Sequence, residues 1–255
     1  MAAVALVTGA SSGIGAATAS ELAERGFSVA LLGRNTAALS AVAGSLKQLA
    51  DQAHLPLVCD VTDPDAVLAA IDQVCSVLGS PEAVVTAAGI CVPANLASTT
   101  PALWRETIDA NVTGTFLVAQ AAAAALTRAA RTGSFLFLGS EQSIIGVPSY
   151  SAYATSKAAL VGLTRALAAE LAPSIRVNLL CPGPVDTPML RAEFALTGDA
   201  EGARVAEERR VPLRRIASAE ETARAAVWLL LDASYSTGGI LSLDGGTTGA
   251  FMASG

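Results

Sequence analysis

Short, almost wholly apolar runs recur along the chain, at residues 3–8, 28–32, 55–59, 83–86, 134–138, 175–180 and 240–243. Longer stretches with helical apolar spacing separate them, at 13–25, 36–50, 64–78, 101–130, 152–171 and 219–231. Runs this short and continuous predict strands buried on both faces, because a half-exposed strand would alternate polar and apolar residues. Strand and helix in turn predict a doubly wound α/β fold: a mostly parallel, seven-stranded sheet with helices on both faces. No composition break marks a linker, so residues 1–255 are expected to form a single domain. Residues 184–216 interrupt the alternation. They follow a strand end, where ligands bind in open parallel sheets, and are expected to cover a substrate.

A chain of 255 residues, 52% hydrophobic and 15% charged, can bury a large core. Its net charge of −6 argues against nucleic acid or an anionic membrane as a partner. No apolar run reaches the length of a bilayer span, and the start, Met1-Ala2-Ala3, lacks the basic segment of an export signal. Cys59, Cys75, Cys91 and Cys181 are scattered, with no Cys-x-x-Cys pair. Neither a metal site nor a disulfide framework is expected, and a cytoplasmic location fits. His54 is the only histidine, so a Ser-His-Asp triad would have to use it. It stands beside the run at 55–59 and reads as an exposed strand-edge residue.

The first run ends in Thr8-Gly9-Ala10-Ser11-Ser12-Gly13-Ile14-Gly15, and the first helical stretch opens there. Glycines let the backbone turn tightly and approach a pyrophosphate, and a helix N-terminus offers unpaired N–H groups to the anion. An ordinary strand-to-helix turn is the competing reading; the strand–turn–helix context favours phosphate binding.

Tyr153-Ala154-Thr155-Ser156-Lys157 carries a second chemistry. Residues four apart share a helix face, and an ammonium beside a phenol lowers its pKa from about 10 toward neutrality. Such a phenol can give a proton to a carbonyl oxygen or take one from an alcohol. A tyrosine and a solvated lysine on one helix is the plain alternative. Only two of sixteen basic residues are lysines, Lys47 and Lys157, which weighs slightly against it. Ser140 lies just past the run at 134–138. Its hydroxyl can bond a substrate oxygen there, or simply serve a turn.

With these pieces in order, the chain resembles the short-chain dehydrogenase/reductase family over essentially its whole length. The resemblance is carried by Thr8-Gly-x-x-x-Gly-x-Gly15, Cys59-Asp60-Val61, Ala87-Ala88-Gly89, Asn111-Val-x-Gly, Ser140, Tyr153-x-x-x-Lys157, Pro182-Gly183, Thr187 and Asp244-Gly-Gly246. It implies a Rossmann-like sheet of parallel strands and an oxidoreductase moving a hydride between a nicotinamide and a small alcohol or ketone. Tyr153 would be the acid/base. Lys157 would lower its pKa and hold the nicotinamide ribose, and Ser140 would orient the substrate oxygen. Asn111 would hold a water linking Lys157 to solvent. Gly9, Ser11, Ser12, Gly13, Ile14 and Gly15 would form the phosphate turn. Asp60 and Val61 would flank the adenine, with Ala87, Ala88 and Gly89 along the ribose. Pro182, Gly183, Val185 and Thr187 would cover the nicotinamide. The family's Asn-Asn-Ala-Gly stands here as Thr86-Ala87-Ala88-Gly89, so amides that brace the sheet are missing.

Cofactor choice turns on Gly33-Arg34. NAD-preferring members place an acidic residue where Gly33 stands, whereas Arg34 can pair with a 2′-phosphate. NADP(H) is expected over NAD(H). On the substrate side, Gln142 and Met189 would join Ser140 and Tyr153. Val92, Pro93, Val147, Tyr150, Leu190 and Phe194 would make an apolar wall, and the arginines of 209–215 could attract an anion.

Other classes share parts of this pattern. A non-catalytic dinucleotide-binding scaffold would have lost the tyrosine or lysine, and both are present. Dehydratase and epimerase relatives carry a separate substrate domain, and enoyl reductases widen the Tyr-to-Lys spacing. The stretches 101–130 and 152–171 have broad, alanine-rich surfaces that in the family pair across a two-fold axis. A homotetramer is expected, with a dimer as the alternative.

Overall fold

The computed structural model describes residues 2–250. All seven expected strands form: β1 (Val4–Thr8), β2 (Ser28–Gly33), β3 (His54–Val58), β4 (Ala83–Thr86), β5 (Gly133–Leu138), β6 (Ile175–Pro182) and β7 (Ile240–Leu243). They pair in parallel in the order β3-β2-β1-β4-β5-β6-β7. The helices are α1 (Gly13–Glu24), α2 (Thr36–Ser45), α3 (Pro64–Val77), α4 (Pro101–Ile108), α5 (Gly114–Arg128), α6 (Ser151–Leu171), α7 (Pro188–Leu196), α8 (Ala200–Arg210) and α9 (Ala219–Val227).

Strand residues alternate between the two faces, which gives each side its own core. Val4 and Leu6 of β1 join Phe135 and Phe137 of β5 under α3, α5 and α6. Ala5 and Val7 join Leu31 and Leu136 under α1, α2 and α9. Pro56 falls within β3, an edge strand, where a missing N–H is tolerated. Chain order reverses at β1 and β4, and a crevice opens at the carboxyl ends of such strands.

Three departures from the expected elements have local causes. The stretch 101–130 is not one α-helix: a wide, π-type turn at Asp109–Thr113 separates α4 from α5. Gly114 follows that turn, and a Cβ there would stand 2.6 Å from Val61 Cγ2. Close packing therefore requires glycine. A similar turn at Trp228–Asp232 ends α9 early. Helix α2 stops at Ser45 because the buried Gln52 amide organises the following loop. It accepts from Leu49 N and donates to Ala23 O and Phe27 O. Residues 184–216 hold two capped helices, α7 and α8, on Thr187 and Asp199. Neither buries a residue fully, so the sequence shows no apolar period there.

The span Pro101–Arg128 qualifies the expectation about membrane length. It covers 28 residues and includes a window apolar enough for a bilayer, but half of that window is buried inside the molecule. Ala119, Ala122 and Leu126 of that span pack beneath the sheet. His54 is half-buried rather than exposed, at the start of β3. Its Nδ1 accepts from Val29 N at 3.3 Å, and its Nε2 lies 3.1 Å from Lys47 O.

Candidate active site

The glycine turn is built on close approach. Gly9 has φ +65°, and a Cβ on it would sit 2.7 Å from the Ala87 carbonyl and the Ala88 nitrogen. A Cβ on Gly15 would sit 2.3 Å from Gly9 O. Thr8 Oγ1 accepts from both Ala87 N and Ala88 N at 3.1 Å. This threonine ties the turn after β1 to the loop after β4, a bracing role for which the sequence alone offered no residue. Ser12 flanks α1 in extended backbone and makes no side-chain cap, so side chains leave the first N–H groups of α1 free.

A cleft of about 830 Å³ runs from this turn along the strand ends. One end holds Arg34, exposed at the end of β2, and Asp60 across from it. The Thr62 N–H and hydroxyl hold the Asp60 carboxyl below the usual range, and Arg34 adds to this. Asn35 caps α2 at Ala38 N. A Cβ on Gly33 would meet Leu39 Cδ2 at 3.4 Å, ordinary contact, so packing does not dictate glycine there.

The other end holds Tyr153 and Lys157, both on α6. Lys157 Nζ lies 5.6 Å from the centroid of the Tyr153 ring and donates to Leu138 O at 2.8 Å. Burial lowers its pKa to about 8. Burial pushes the Tyr153 phenol up; Cys91 and Glu193 add to this, and the Ser140 hydroxyl opposes it. Lys157 is not among the groups that lower the phenol in this geometry, and burial opposes the charged form of each. Ser140 also begins a short 3-10 turn, accepting from Gln142 N at 3.2 Å. The buried Oε1 of Gln142 has no hydrogen-bond partner among the described residues.

Asn111 lies in the wide turn between α4 and α5. Its Nδ2 donates to Ile90 O and Ser156 Oγ, and its Oδ1 accepts from Ile90 N. The side chain thus clamps the β4 loop to α6. A Cβ on Gly89 would come within 2.8 Å of Asn111 Oδ1 and 3.7 Å of Lys157 Nζ.

The cleft brings together Gly9, Ser11, Ser12, Gly13, Ile14 and Gly15 with Arg34, Asp60 and Val61. Ala87, Ala88, Gly89, Tyr153, Lys157, Thr187 and Met189 line it too. Asn111, Ser140, Gln142, Pro182, Gly183 and Val185 are not part of that lining. Pro182 pairs with Leu243, and a Cβ on Gly183 would be 2.8 Å from Asp244 Cα. Val185 bridges Ala217.

Two expectations on the substrate side change. Tyr150 is not purely apolar wall: its hydroxyl donates to Glu193 Oε2 at 2.9 Å. The arginines of 209–215 do not form a free cationic patch. Arg210 pairs with Glu141 and Glu207, Arg215 pairs with Glu221, and Arg214 donates to Arg209 O. Glu193 and Cys91 were missed because residue type alone gives no reason to bring α7 to the β4 loop.

A family model described as enoyl-(acyl carrier protein) reductase matches residues 9–248. The chain is 39% identical over 248 residues to cis-4-hydroxycyclohexanecarboxylate dehydrogenase of Sinomonas cyclohexanicum, covering 96% of each. It is 37% identical over 250 residues to 2,5-dichloro-2,5-cyclohexadiene-1,4-diol dehydrogenase of Sphingobium indicum, covering 95% of this chain and 96% of that one. A crystal structure of a short-chain type dehydrogenase/reductase from Mycobacterium marinum superposes with a TM-score of 0.90 at 37% identity, covering 97% of this chain and 96% of the other. The chain belongs to the short-chain dehydrogenase/reductase family, enzymes that act on CH–OH and C=O groups with NAD(P) cofactors.

Proposed function

We propose that the protein is an NADP(H)-preferring oxidoreductase of small secondary alcohols and their ketones, with Tyr153 as the acid/base. The observation that carries this is one continuous cleft with a glycine phosphate turn at one side and the Tyr153–Lys157 pair at its end. The turn fits a dinucleotide, since Cβ atoms at Gly9 and Gly15 would clash with backbone and α1 presents free N–H groups. Arg34, beside a glycine that packing does not require, supports the 2′-phosphate and hence NADP(H).

A nicotinamide bound in this cleft would supply or accept the hydride. Tyr153 passes the proton to or from the substrate oxygen, and burial of its phenol keeps it protonated for reduction. Ser140 orients that oxygen. Lys157 holds the nicotinamide ribose and, once drawn from Leu138 O, favours the phenolate during oxidation. Asn111 holds the loop and helix between which these groups work.

Two of the relatives are by name dehydrogenases of a hydroxycyclohexanecarboxylate and of a cyclohexadienediol, so a ring alcohol is the first substrate to test. The test is a turnover screen with both nicotinamides against ring and open-chain alcohols, ketones and aldehydes. Turnover with NADP(H) exceeding that with NAD(H) is expected. Nucleotide binding without turnover of any of these favours a non-catalytic dinucleotide-binding scaffold.

A further inference from the structure

Beside Tyr153 lies a polar corner that the nucleotide cleft does not use. Tyr150 packs edge-on against Tyr153, with ring centroids 6.4 Å apart and planes at 65°. Its hydroxyl donates at 2.9 Å to Glu193 Oε2, on α7. The Cys91 thiol, in the loop after β4, lies near enough to the same carboxyl group for each to shift the other's pKa. Burial and the Glu193 charge keep the Tyr150 hydroxyl and the Cys91 thiol protonated. Glu193 is half-buried; burial raises its pKa, the Tyr150 hydroxyl opposes that rise, and its carboxylate charge is felt at the Tyr153 phenol.

No cation pairs with Glu193 among the described residues. Arg210 on α8 is committed to Glu141 and Glu207, and Arg191 on α7 to Asp186. A carboxylate has about four acceptor sites, and Tyr150 occupies one of them. The rest can take a substrate donor, and the bond is strong when the carboxyl is ionised. The same charge repels an anion, and partial burial leaves that repulsion less screened than at the surface.

We propose that Glu193, held by Tyr150 beside Tyr153, is the specificity-determining residue: it selects secondary alcohols that carry a second hydroxyl away from the reacting carbon, and it excludes their carboxylate analogues. This rests on the oxidoreductase reading above. It separates the chain from its relative that acts, by name, on a ring hydroxy-carboxylate.

The test compares kcat/KM for cyclohexanol, cis-cyclohexane-1,4-diol and cis-4-hydroxycyclohexanecarboxylate, in the wild type and in Glu193→Gln. The wild type should favour the diol over cyclohexanol by about tenfold or more, and the carboxylate should be poorest. Glutamine keeps the shape and an acceptor for Tyr150 but removes the charge. The carboxylate-to-cyclohexanol ratio should rise by about tenfold, and the diol-to-cyclohexanol ratio should fall. Equal ratios in the two proteins, or a wild type that prefers the carboxylate, overturn the inference while leaving the oxidoreductase reading intact. Turnover of none of the three with either nucleotide overturns the ring-alcohol reading and the inference with it.

Discussion

Tyr153 and Lys157 stand one turn apart on α6, yet the Lys157 ammonium donates to Leu138 O and not to the phenol it lies beside. Burial opposes the charged form of each, raising Tyr153 and lowering Lys157 to about 8. Burial thus strains the ionised form of each group.

That strain has a thermodynamic consequence. Lys157 titrates at about 8 in the fold against an ordinary 10.5, so between those values the unfolded chain binds more protons. Stability from this group therefore rises with pH across that window, and the penalty is full below it. Lys157→Met should stabilise the nucleotide-free protein at pH 7 by about 1–3 kcal/mol, less what Leu138 O loses with its donor. Thermal melts should show this gain shrinking toward pH 10.5. Nucleotide affinity and turnover should both fall in the same variant.

The pH dependence of the reaction follows from the same groups. Reduction needs a protonated phenol and an ammonium, so its kcat/KM should be flat at neutral pH and fall above about 8 as Lys157 deprotonates. Alcohol oxidation should rise with pH. Initial rates in both directions at fixed ionic strength check this, and a reduction rate that climbs between pH 7 and pH 9 would contradict it.

Arg34→Asp should reverse cofactor preference. It removes a pairing with the 2′-phosphate, adds repulsion, and offers a carboxylate to ribose hydroxyls. The shift toward NAD(H) should be about 1–3 kcal/mol, read from Kd values for both reduced nucleotides. A wild type that already binds NADH more tightly than NADPH would rule out this role for Arg34.

Helices α4 and α5 leave Trp104 and Phe116 each 39% exposed, large apolar side chains on the surface expected to pair across a two-fold axis. Light scattering at micromolar concentration should give four times the chain mass. A monomer would reject the tetramer.

Much of this architecture was legible in the sequence, because buried parallel strands and amphipathic helices leave distinct periods. Strand bounds shift by one or two residues, with β6 extending to Pro182. The breaks at Asn111 and Gly114 were not legible: alanine-rich sequence favours an unbroken helix, and tertiary contacts with Ile90, Ser156 and Val61 override it. Of the site, the glycine turn and the Tyr153–Lys157 spacing carry local signals. The Thr8 brace and the Tyr150–Glu193–Cys91 corner do not, since each joins elements far apart in the chain.

The most direct test of the central claim is Tyr153→Phe. The substitution removes one hydroxyl from a half-buried ring on α6, so fold and nucleotide binding through Gly9–Gly15 and Lys157 should persist. His54 cannot replace it, being held at the opposite end of the strands by Val29 N and Lys47 O. Turnover on an alcohol that the wild type oxidises should fall by about a thousandfold, with nucleotide Kd unchanged. Near-normal turnover in Tyr153→Phe would contradict the assignment of Tyr153 as the acid/base.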